Sequence, residues 1–222
     1  MTAHHIRYEL DSDGIATLTI DRPEKRGAMT YAMLMEFTAK VAAIADDERV
    51  RVLIVTGSGG SFCAGTDLAD LATVPGETRG VRGGQHEVGK RRPLVQCPVP
   101  VIGAIDGYAV GMGAEFSSQC DVRFITPRTR FAWNFAQRGL VPDTGAGSWL
   151  LPRIIGPSRA LRLLYSTEFL EADEALTFGY AHRIVAPEEL AAAARTEAER
   201  YLTGSPMSLR RIKQLVWKGL ER

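Results

Sequence analysis

Two glycine-rich stretches decide how this chain folds: Phe62-Cys63-Ala64-Gly65-Thr66-Asp67-Leu68 and Asp106-Gly107-Tyr108-Ala109-Val110-Gly111-Met112-Gly113-Ala114-Glu115. Each follows an apolar run rich in β-branched residues and leads into a helical pattern. Turns from a strand into a helix expose backbone N–H groups, and two such turns can aim two of these groups at one point. A pair of converging donors stabilises an oxyanion, as chemistry on a thioester requires.

Composition limits the class of protein. The chain has 222 residues, of which 45% are hydrophobic and 24% are charged, and its formal net charge is +1. These values are ordinary for a globular protein, and the near-zero charge argues against nucleic acid as a partner. No apolar run reaches the ~18 residues that span a bilayer, so no membrane partner is expected.

The cysteines and the first residues indicate a compartment. Cys63, Cys97 and Cys120 are an odd set in apolar surroundings and are predicted to be reduced, buried thiols. Residues 1–5 lack the basic and then apolar pattern of a secretory signal. We therefore expect a cytoplasmic protein. The four histidines lack the spacing of metal ligands, so no metal site is expected.

Alternating strand and helix patterns predict an α/β fold. Ile6–Leu10 and Ile15–Ile20 are short β-type runs separated by a turn signal, which predicts a hairpin. Thr30 can cap a helix whose apolar residues follow the helical period, namely Leu34, Phe37, Val41 and Ile44. Val50–Thr56 is a continuous apolar strand, predicted to be covered on both faces.

The same alternation continues to the end of the chain. The further predicted elements are strands at Val101–Ile105, Val122–Thr126 and His182–Val185, and helices at Met112–Gln119, Ala146–Leu151, Arg159–Ser166, Ala172–Phe178, Glu188–Leu202 and Met207–Leu220. The segment Thr73–Arg92 contains Pro, Gly and several charges. It is predicted to be a mobile loop near a pocket mouth, with a solvated connector as the alternative.

The glycines around Met112 have three interpretations. They let a ligand approach the backbone at a helix N-terminus, which carries partial positive charge. They also fit a tightly packed turn with no ligand. A dinucleotide-binding turn is disfavoured, because Phe116 stands where the third glycine of that pattern belongs.

Taken together, these segments resemble the enoyl-CoA hydratase/isomerase (crotonase) superfamily. The match covers nearly the whole chain and rests on Asp21-Arg22-Pro23-Glu24-Lys25-Arg26 with Ala28-Met29-Thr30, Phe62–Leu68, Gly107–Glu115 with Cys120-Asp121, Phe131-Ala132-Trp133, Gly139-Leu140-Val141-Pro142-Asp143, Leu151-Pro152-Arg153-Ile154-Ile155-Gly156, and Glu174-Ala175-Leu176 with Gly179. The resemblance implies an α/β, crotonase-like spiral of ββα units over residues 1–185, with a C-terminal helical segment over 186–222.

The resemblance also implies a ligand and an assembly. Members of the superfamily bind an acyl-CoA thioester, in which CoA is part of the substrate and no separate cofactor is needed. They assemble as homotrimers, often as dimers of trimers. They also continue beyond the position of Arg222 with further helix, so the family's last helices are expected to be missing here.

Site residues follow from motif position in the same resemblance. The backbone N–H groups of Thr66 and Met112 match the oxyanion donors. The expected substrate-binding residues are Arg26, Ala28, Ala64, Gly65, Asp67, Leu68, Tyr108, Val110, Gly111, Trp133 and Phe135. Among them, Arg26 is expected to meet the CoA phosphates, and the aromatic residues are expected to line the acyl pocket, with plain core packing as the alternative.

The acid/base residues decide the reaction. Hydratases of the superfamily carry two glutamates, of which Glu115 matches the first and Phe135 stands at the second. Phenylalanine cannot transfer a proton, whereas hydration needs one group to activate water and another to protonate carbon. Asp143 offers a different carboxylate, at a position where the resemblance points to double-bond isomerases. Its alternative role is a helix N-cap, and that of Glu115 is a structural hydrogen bond.

The sequence therefore predicts an enzyme that stabilises a thioester enolate and shifts a carbon–carbon double bond. Asp143 is the expected base and Glu115 the expected second acid/base group. An enoyl-CoA hydratase is the alternative within the same class. An acyl-CoA-binding protein with weak catalysis is the alternative of another class, favoured by Phe135 and opposed by the two carboxylates.

Overall fold

A large sheet and a small sheet share the strands of this chain. The computed structural model describes residues 5–73, 92–142 and 146–220. In chain order its strands are β1 (Ile6–Leu10), β2 (Ile15–Ile20), β3 (Val52–Gly57), β4 (Val101–Ile105), β5 (Tyr108–Val110), β6 (Val122–Ile125), β7 (Arg130–Ala132), β8 (Leu170–Glu171) and β9 (Arg183–Ile184). The large sheet has the order β1-β2-β3-β4-β6-β9, and the small sheet has the order β5-β7-β8.

Helices connect and cover these strands. They are α1 (Tyr31–Asp46), α2 (Leu68–Thr73), α3 (Pro93–Gln96), α4 (Met112–Gln119), α5 (Leu151–Ile155), α6 (Pro157–Ser166), α7 (Ala172–Thr177), α8 (Leu190–Leu202) and α9 (Pro206–Leu220). A π-helical turn at Ala146–Leu150 leads directly into α5. Within the described ranges, no helix combines the length and the apolar character that crossing a membrane demands.

The first two strands form the predicted hairpin. β1 and β2 pair antiparallel, with Leu10 opposite Ala16. The turn is fixed by the Asp11 carboxylate, which accepts hydrogen bonds from the N–H groups of Asp13 and Ile15, both at 2.9 Å. Gly14 adopts a positive φ of 87°, which a residue with a side chain rarely tolerates.

Both faces of the large sheet are covered, as the continuous apolar run Val50–Thr56 predicts. Along β3, Leu53 and Val55 point into one hydrophobic cluster, while Val52 and Ile54 point into a second. The second cluster is completed by the apolar face of α8, which contributes Leu190, Ala194 and Ala198. The period of two along a strand therefore distributes its residues between two cores. Because α8 supplies one of these cores, residues after 185 share packing with the sheet; the domain division at 185/186 stays a prediction.

Helix α1 begins and packs as its sequence indicates. The Thr30 hydroxyl accepts a hydrogen bond from the Met33 N–H at 3.2 Å, which is the expected N-cap. Phe37, Val41 and Ile44 are buried in the main core, whereas Leu34 is only partly buried.

From β4 to β7, consecutive strands belong alternately to the large and the small sheet. In the central unit β4 belongs to the large sheet, β5 belongs to the small sheet, and α4 follows directly. The small sheet was absent from the sequence-based prediction. Its strands are two or three residues long, too short for an alternating pattern to be recognised.

The predicted loop Thr73–Arg92 lies outside the described residues except at its ends. Thr73 is the last residue of α2, and Arg92 precedes α3. The three cysteines are free and buried, as expected from their apolar surroundings. Burial raises the pKa of the Cys63 thiol to about 12, and raises that of Cys120 equally.

Gly113 provides a test of the packing that places α4. A Cβ at Gly113 would lie 2.1 Å from the Cys63 carbonyl oxygen, so the helix must withdraw in the Gly113→Ala variant. We expect this variant to lose about 1–3 kcal/mol of unfolding free energy, the usual cost of overpacking. Gly219→Ala is the matched control, because Gly219 lies in α9 with nothing within 4 Å of the added Cβ.

Urea unfolding followed by circular dichroism measures both variants. The control should be unchanged or gain up to about 1 kcal/mol from helix propensity. Equal stability of the two variants would contradict the close contact between α4 and Cys63.

Candidate active site

A cavity of about 420 Å³ lies where the two glycine-rich stretches meet. Its walls come from the turn before α2, from the N-terminus of α4, and from the 3₁₀ turn Ala136–Arg138 with its neighbours. The lining residues are Lys25, Ala28, Ala64, Gly65, Thr66, Asp67, Leu68, Ala69, Gly111, Met112, Asn134, Phe135, Arg138 and Leu140.

The Thr66 N–H is directed by an isolated parallel bridge to Met29. The Met29 N–H donates to the Gly65 carbonyl at 2.8 Å, and the Asp67 N–H donates to the Met29 carbonyl at 2.8 Å. In a parallel bridge of this kind the neighbours of the central residue make both bonds, so the Thr66 N–H points away from Met29. Thr66 lines the cavity, so we expect its N–H to be available to a ligand there.

The Met112 N–H is the second expected donor. Met112 is the first residue of α4, and the opening N–H groups of a helix have no intrahelical acceptor. The chain enters the helix through Gly111, whose φ is 54° and whose N–H donates to the Ala132 carbonyl at 2.8 Å. The Met112 N–H therefore follows a turn that is hydrogen-bonded to β7 through Ala132.

The two turns touch at Gly65. Its φ is 100°, and a Cβ at this position would lie 2.9 Å from the Val110 carbonyl oxygen and 3.8 Å from the Met112 nitrogen. Glycine is therefore required for the turn to approach the start of α4. The structure brings Thr66 and Met112 to one cavity, in the arrangement expected of paired oxyanion donors; that role stays a prediction.

Glu115 lies one turn further along α4 and is fully buried. Its carboxylate packs against the backbone of the π-helical turn, where a Cβ at Gly147 would lie 2.5 Å from Oε1. The same Cβ would lie 3.0 Å from Cδ1 of Trp133, so Glu115 and Trp133 converge on Gly147. Asp143 lies outside the described residues, and its role as base stays a prediction.

An ion pair fixes the turn that carries Thr66. Arg22 Nη1 donates to the Asp67 carboxylate and to the Ala28 carbonyl, both at 2.8 Å. The Asp67 carboxylate also accepts from the Ala69 N–H at 2.9 Å, at the start of α2. The Arg22 hydrogen bond holds the pKa of Asp67 below its usual value. Asp67 lines the cavity, as expected. Through its pairing with Arg22 it also fixes the turn that carries Thr66.

The other predicted binding residues divide into two groups. Ala28, Ala64, Gly65, Leu68, Gly111 and Phe135 line the cavity. The cavity lining within the described part of the chain does not include Arg26, Tyr108, Val110 and Trp133. The Arg26 guanidinium lies 5.4 Å from the centre of the Tyr108 ring, and Trp133 belongs to the main core. The binding roles of these residues stay predictions.

Sequence reasoning missed several cavity residues. Lys25 lies inside the motif used for the resemblance, and Arg138 lies directly before Gly139, but neither was singled out. Only the folded chain shows that both cations face the same cavity. Leu140 also lies inside a quoted motif without having been singled out, whereas Asn134 and Ala69 carry no recognisable motif, so the sequence offered no signal for these two.

The fold and the cavity together define a crotonase-type protein, and comparison with known proteins agrees. A family model described as Enoyl-CoA hydratase/isomerase matches residues 11–222. The chain belongs to the enoyl-CoA hydratase/isomerase family of enzymes, and the crotonase-like α/β fold expected from the sequence is confirmed.

The names of similar proteins include both hydratases and isomerases. The chain is 34% identical to a crotonyl-CoA hydratase of Syntrophomonas wolfei, over 93% of this chain and 79% of that protein. It is equally 34% identical to a 1,2-epoxyphenylacetyl-CoA isomerase of Escherichia coli, over 91% and 78%. A crystal structure of an enoyl-CoA hydratase from Mycobacterium smegmatis superposes with a TM-score of 0.90 at 28% identity, over 99% and 85%. Trimeric assembly and cytoplasmic location stay predictions.

The ion pair between Arg22 and Asp67 predicts a pH-dependent contribution to the free energy of unfolding. Because the pKa of Asp67 is lowered in the folded state, its ion pair stabilises the protein above the unfolded pKa of about 3.9, and this contribution is lost as pH falls through the folded pKa. Asp67→Asn should therefore cost about 1–2 kcal/mol of unfolding free energy near pH 7. The difference from the unsubstituted protein should shrink as pH falls below about 4.

Glu24→Gln is the matched control, because Glu24 pairs with the same Arg22 at 3.5 Å through a side chain that is 60% exposed. Exposed pairs contribute about 0–1 kcal/mol, so the control should change little. Chemical unfolding at several pH values measures both variants. A cost for Asp67→Asn that is independent of pH would contradict the ion-pair explanation.

Proposed function

We propose that this chain isomerises the double bond of an enoyl-CoA by stabilising a thioester enolate. The observation that carries the choice of isomerase is Phe135, which lines the cavity together with Thr66 and Met112. At this position the hydratases of the superfamily carry their second glutamate. A group that cannot accept or donate a proton therefore faces the ligand where hydration needs one.

The backbone donors support the enolate step. Removing a proton from the α-carbon of a thioester places negative charge on the carbonyl oxygen. Backbone N–H groups held in fixed positions stabilise this charge without reorganising, and one such donor typically contributes a factor of about 10²–10³ in rate. The N–H groups of Thr66 and Met112 would fill this role, because both residues line the cavity on anchored turns.

The proton is moved by carboxylates. In the proposed reaction Asp143 takes the proton from the α-carbon and returns it to the γ-carbon of the same substrate, so no atom is gained or lost. Glu115 assists from α4, where its burial among apolar residues suits a group that exchanges protons. An N-cap role is the alternative for Asp143, and the Asp143→Asn variant distinguishes the two.

The CoA part of the ligand would rest on small residues and cations. Ala28, Ala64 and Gly65 present little side-chain bulk to the cavity, and Lys25 and Arg138 add positive charge. The phosphates of CoA are anionic, so these cations favour binding of this ligand. Arg26 remains a further candidate for the phosphates.

Hydration is the second candidate function. It is favoured by the similar proteins, among which hydratase names are more common than isomerase names. Binding of acyl-CoA with weak catalysis is less favoured, because Glu115 is a buried carboxylate on the same helix as Met112.

Binding can be tested without knowing the reaction. A ligand at 100 times its Kd stabilises the native state by about 2.7 kcal/mol, which corresponds to a Tm increase of roughly 5–10 °C for a domain of this size. We expect such an increase with millimolar acyl-CoA in thermal unfolding. NADH and NADPH serve as control nucleotides and should give no increase. The absence of a shift with acyl-CoAs of several chain lengths would contradict the binding proposal.

The reaction itself is tested by three substitutions. Asp143→Asn keeps the shape but removes the proton acceptor, so isomerisation of a 3-enoyl-CoA should fall about 10²–10⁴-fold while the Kd for acyl-CoA stays nearly unchanged. Glu115→Gln should cost less if it only assists. Phe135→Glu should raise hydration of a 2-enoyl-CoA if the cavity admits water. Spectrophotometric assays of both substrates follow these changes.

Two results would contradict the proposal in different ways. Full isomerase activity in Asp143→Asn would make Asp143 a structural cap. Fast hydration of a 2-enoyl-CoA by the unsubstituted protein would show that Phe135 does not prevent water addition.

A further inference from the structure

The side chain of Trp133 carries a buried hydrogen-bond donor that the proposed reaction does not use. Trp133 is fully buried, and within the described part of the chain its Nε1 has no hydrogen-bond partner. An indole N–H can only donate, and leaving a buried donor unpaired is costly. Such a group indicates either a bound water or a ligand atom that completes it.

Trp133 lies next to the turn at Gly111, which precedes the proposed oxyanion donor Met112. The preceding residue, Ala132, accepts a hydrogen bond from the Gly111 N–H at 2.8 Å. The residues after it, Asn134 and Phe135, line the cavity. The residues immediately before and after Trp133 therefore both contact the proposed reaction site, and they fix the backbone that carries the unpaired donor.

The indole edge and the carboxylate of Glu115 both lie close to Gly147. The position of a Cβ at Gly147 lies 2.5 Å from Glu115 Oε1 and 3.0 Å from Trp133 Cδ1. Because Nε1 is bonded to Cδ1, the donor belongs to the edge of the ring that converges with Glu115. An added methyl group at Gly147 would collide with Glu115 Oε1 and press tightly on Trp133 Cδ1, so glycine at this position permits both groups to come close.

The ring itself is fixed. Trp133 packs edge-on against Tyr180, with ring centres 5.5 Å apart and an angle of 85° between the planes. The Tyr180 hydroxyl is hydrogen-bonded to the hydroxyls of Ser117 and Ser118 at 2.6 and 3.0 Å, and both serines belong to α4. The indole ring is thus oriented by packing against Tyr180, which is itself hydrogen-bonded to the helix that carries Met112 and Glu115.

We propose that the Trp133 indole N–H donates a hydrogen bond to an uncharged oxygen atom bound beside Glu115. The oxygen comes either from a water molecule or from a hydroxyl or similar group on the acyl chain. Trp133 makes and breaks no covalent bond in this role; it orients the oxygen, and any proton exchange falls to Glu115. In the second case Trp133 selects for oxygen-bearing acyl groups, and this case rests on the proposed acyl-CoA function.

The acyl case is tested with two ligands that differ by one hydroxyl, butanoyl-CoA and 3-hydroxybutanoyl-CoA. Trp133→Phe removes the N–H and keeps an aromatic ring. A neutral hydrogen bond corresponds to about a threefold to tenfold change in Kd. We expect Trp133→Phe to raise the Kd of 3-hydroxybutanoyl-CoA by this factor relative to the Kd of butanoyl-CoA. General damage to the fold affects both ligands and cancels in the ratio.

Trp217→Phe is the matched control. It removes the same atoms from α9, where the ring packs 6.2 Å from that of Trp149 and outside the proposed reaction site. Its ratio of the two Kd values should equal that of the unsubstituted protein.

The water case is tested on the ligand-free protein by ¹H–¹⁵N spectroscopy of the indole groups. The chain has three tryptophans, so the Trp133 signal is assigned from Trp133→Phe or, by elimination, from Trp149→Phe and Trp217→Phe. A cross-peak between this proton and a long-lived water supports the water case. Failure of acyl-CoA to bind would refute the proposed function but would leave this measurement intact.

Each combination of results decides the inference. A water cross-peak or a changed ratio of Kd values supports it and identifies the source of the oxygen. The absence of both, with Trp133→Phe behaving as Trp217→Phe does, overturns it.

Discussion

Helix α4 approaches the turn at Cys63 so closely that a side chain cannot be accommodated at Gly113. The same contact continues at Gly65, whose missing side chain lets the turn reach the Val110 carbonyl and the Met112 nitrogen. Both donors of the proposed oxyanion hole therefore depend on one backbone-to-backbone contact. Such donors stabilise charge only if they are held in place before the reaction, and close packing of main chain provides that rigidity.

The far end of α4 is held as firmly as its start. The buried guanidinium of Arg123 donates to the carbonyls of Ser117 and Cys120 at 3.2 and 2.5 Å, which satisfies acceptors that a helix end leaves open. It also donates to the Tyr180 carbonyl, and it lies 4.8 Å from the centre of the Tyr180 ring. Residues Gly113–Gln119 are all buried. The helix that carries Met112 and Glu115 is consequently fixed at both ends and is buried from Gly113 onward.

Local patterns predicted the elements that have strong periodicity or clear caps. β1, β2, β4 and α4 have the expected bounds, since an alternating or largely apolar run marks each strand and a glycine precedes the helix. The small sheet escaped prediction because its short strands are defined by pairing with distant segments, as in the register of Phe131 with Leu170. Cavity residues such as Lys25 and Arg138 escaped for the same reason: their proximity is a property of the folded chain. Asp67 shows a further limit, because its pairing with Arg22 joins segments 45 residues apart.

The same architecture supports different reactions because its common element is main chain. The backbone donors proposed at Thr66 and Met112 do not depend on their own side chains, so the residues that line the cavity can change while the glycines at Gly65 and Gly113 keep the two turns together. The fate of the enolate is decided by the groups that can hold water or move a proton near it. In this chain an aromatic ring occupies the position of one proton-transfer group, and Glu115 is enclosed by Trp133 and the Gly147 backbone. Replacing a carboxylate by a ring removes a proton-transfer group and a hydrogen-bonding group for water in a single change, and this is the physical basis of the proposal that the proton returns to the substrate instead of water being added.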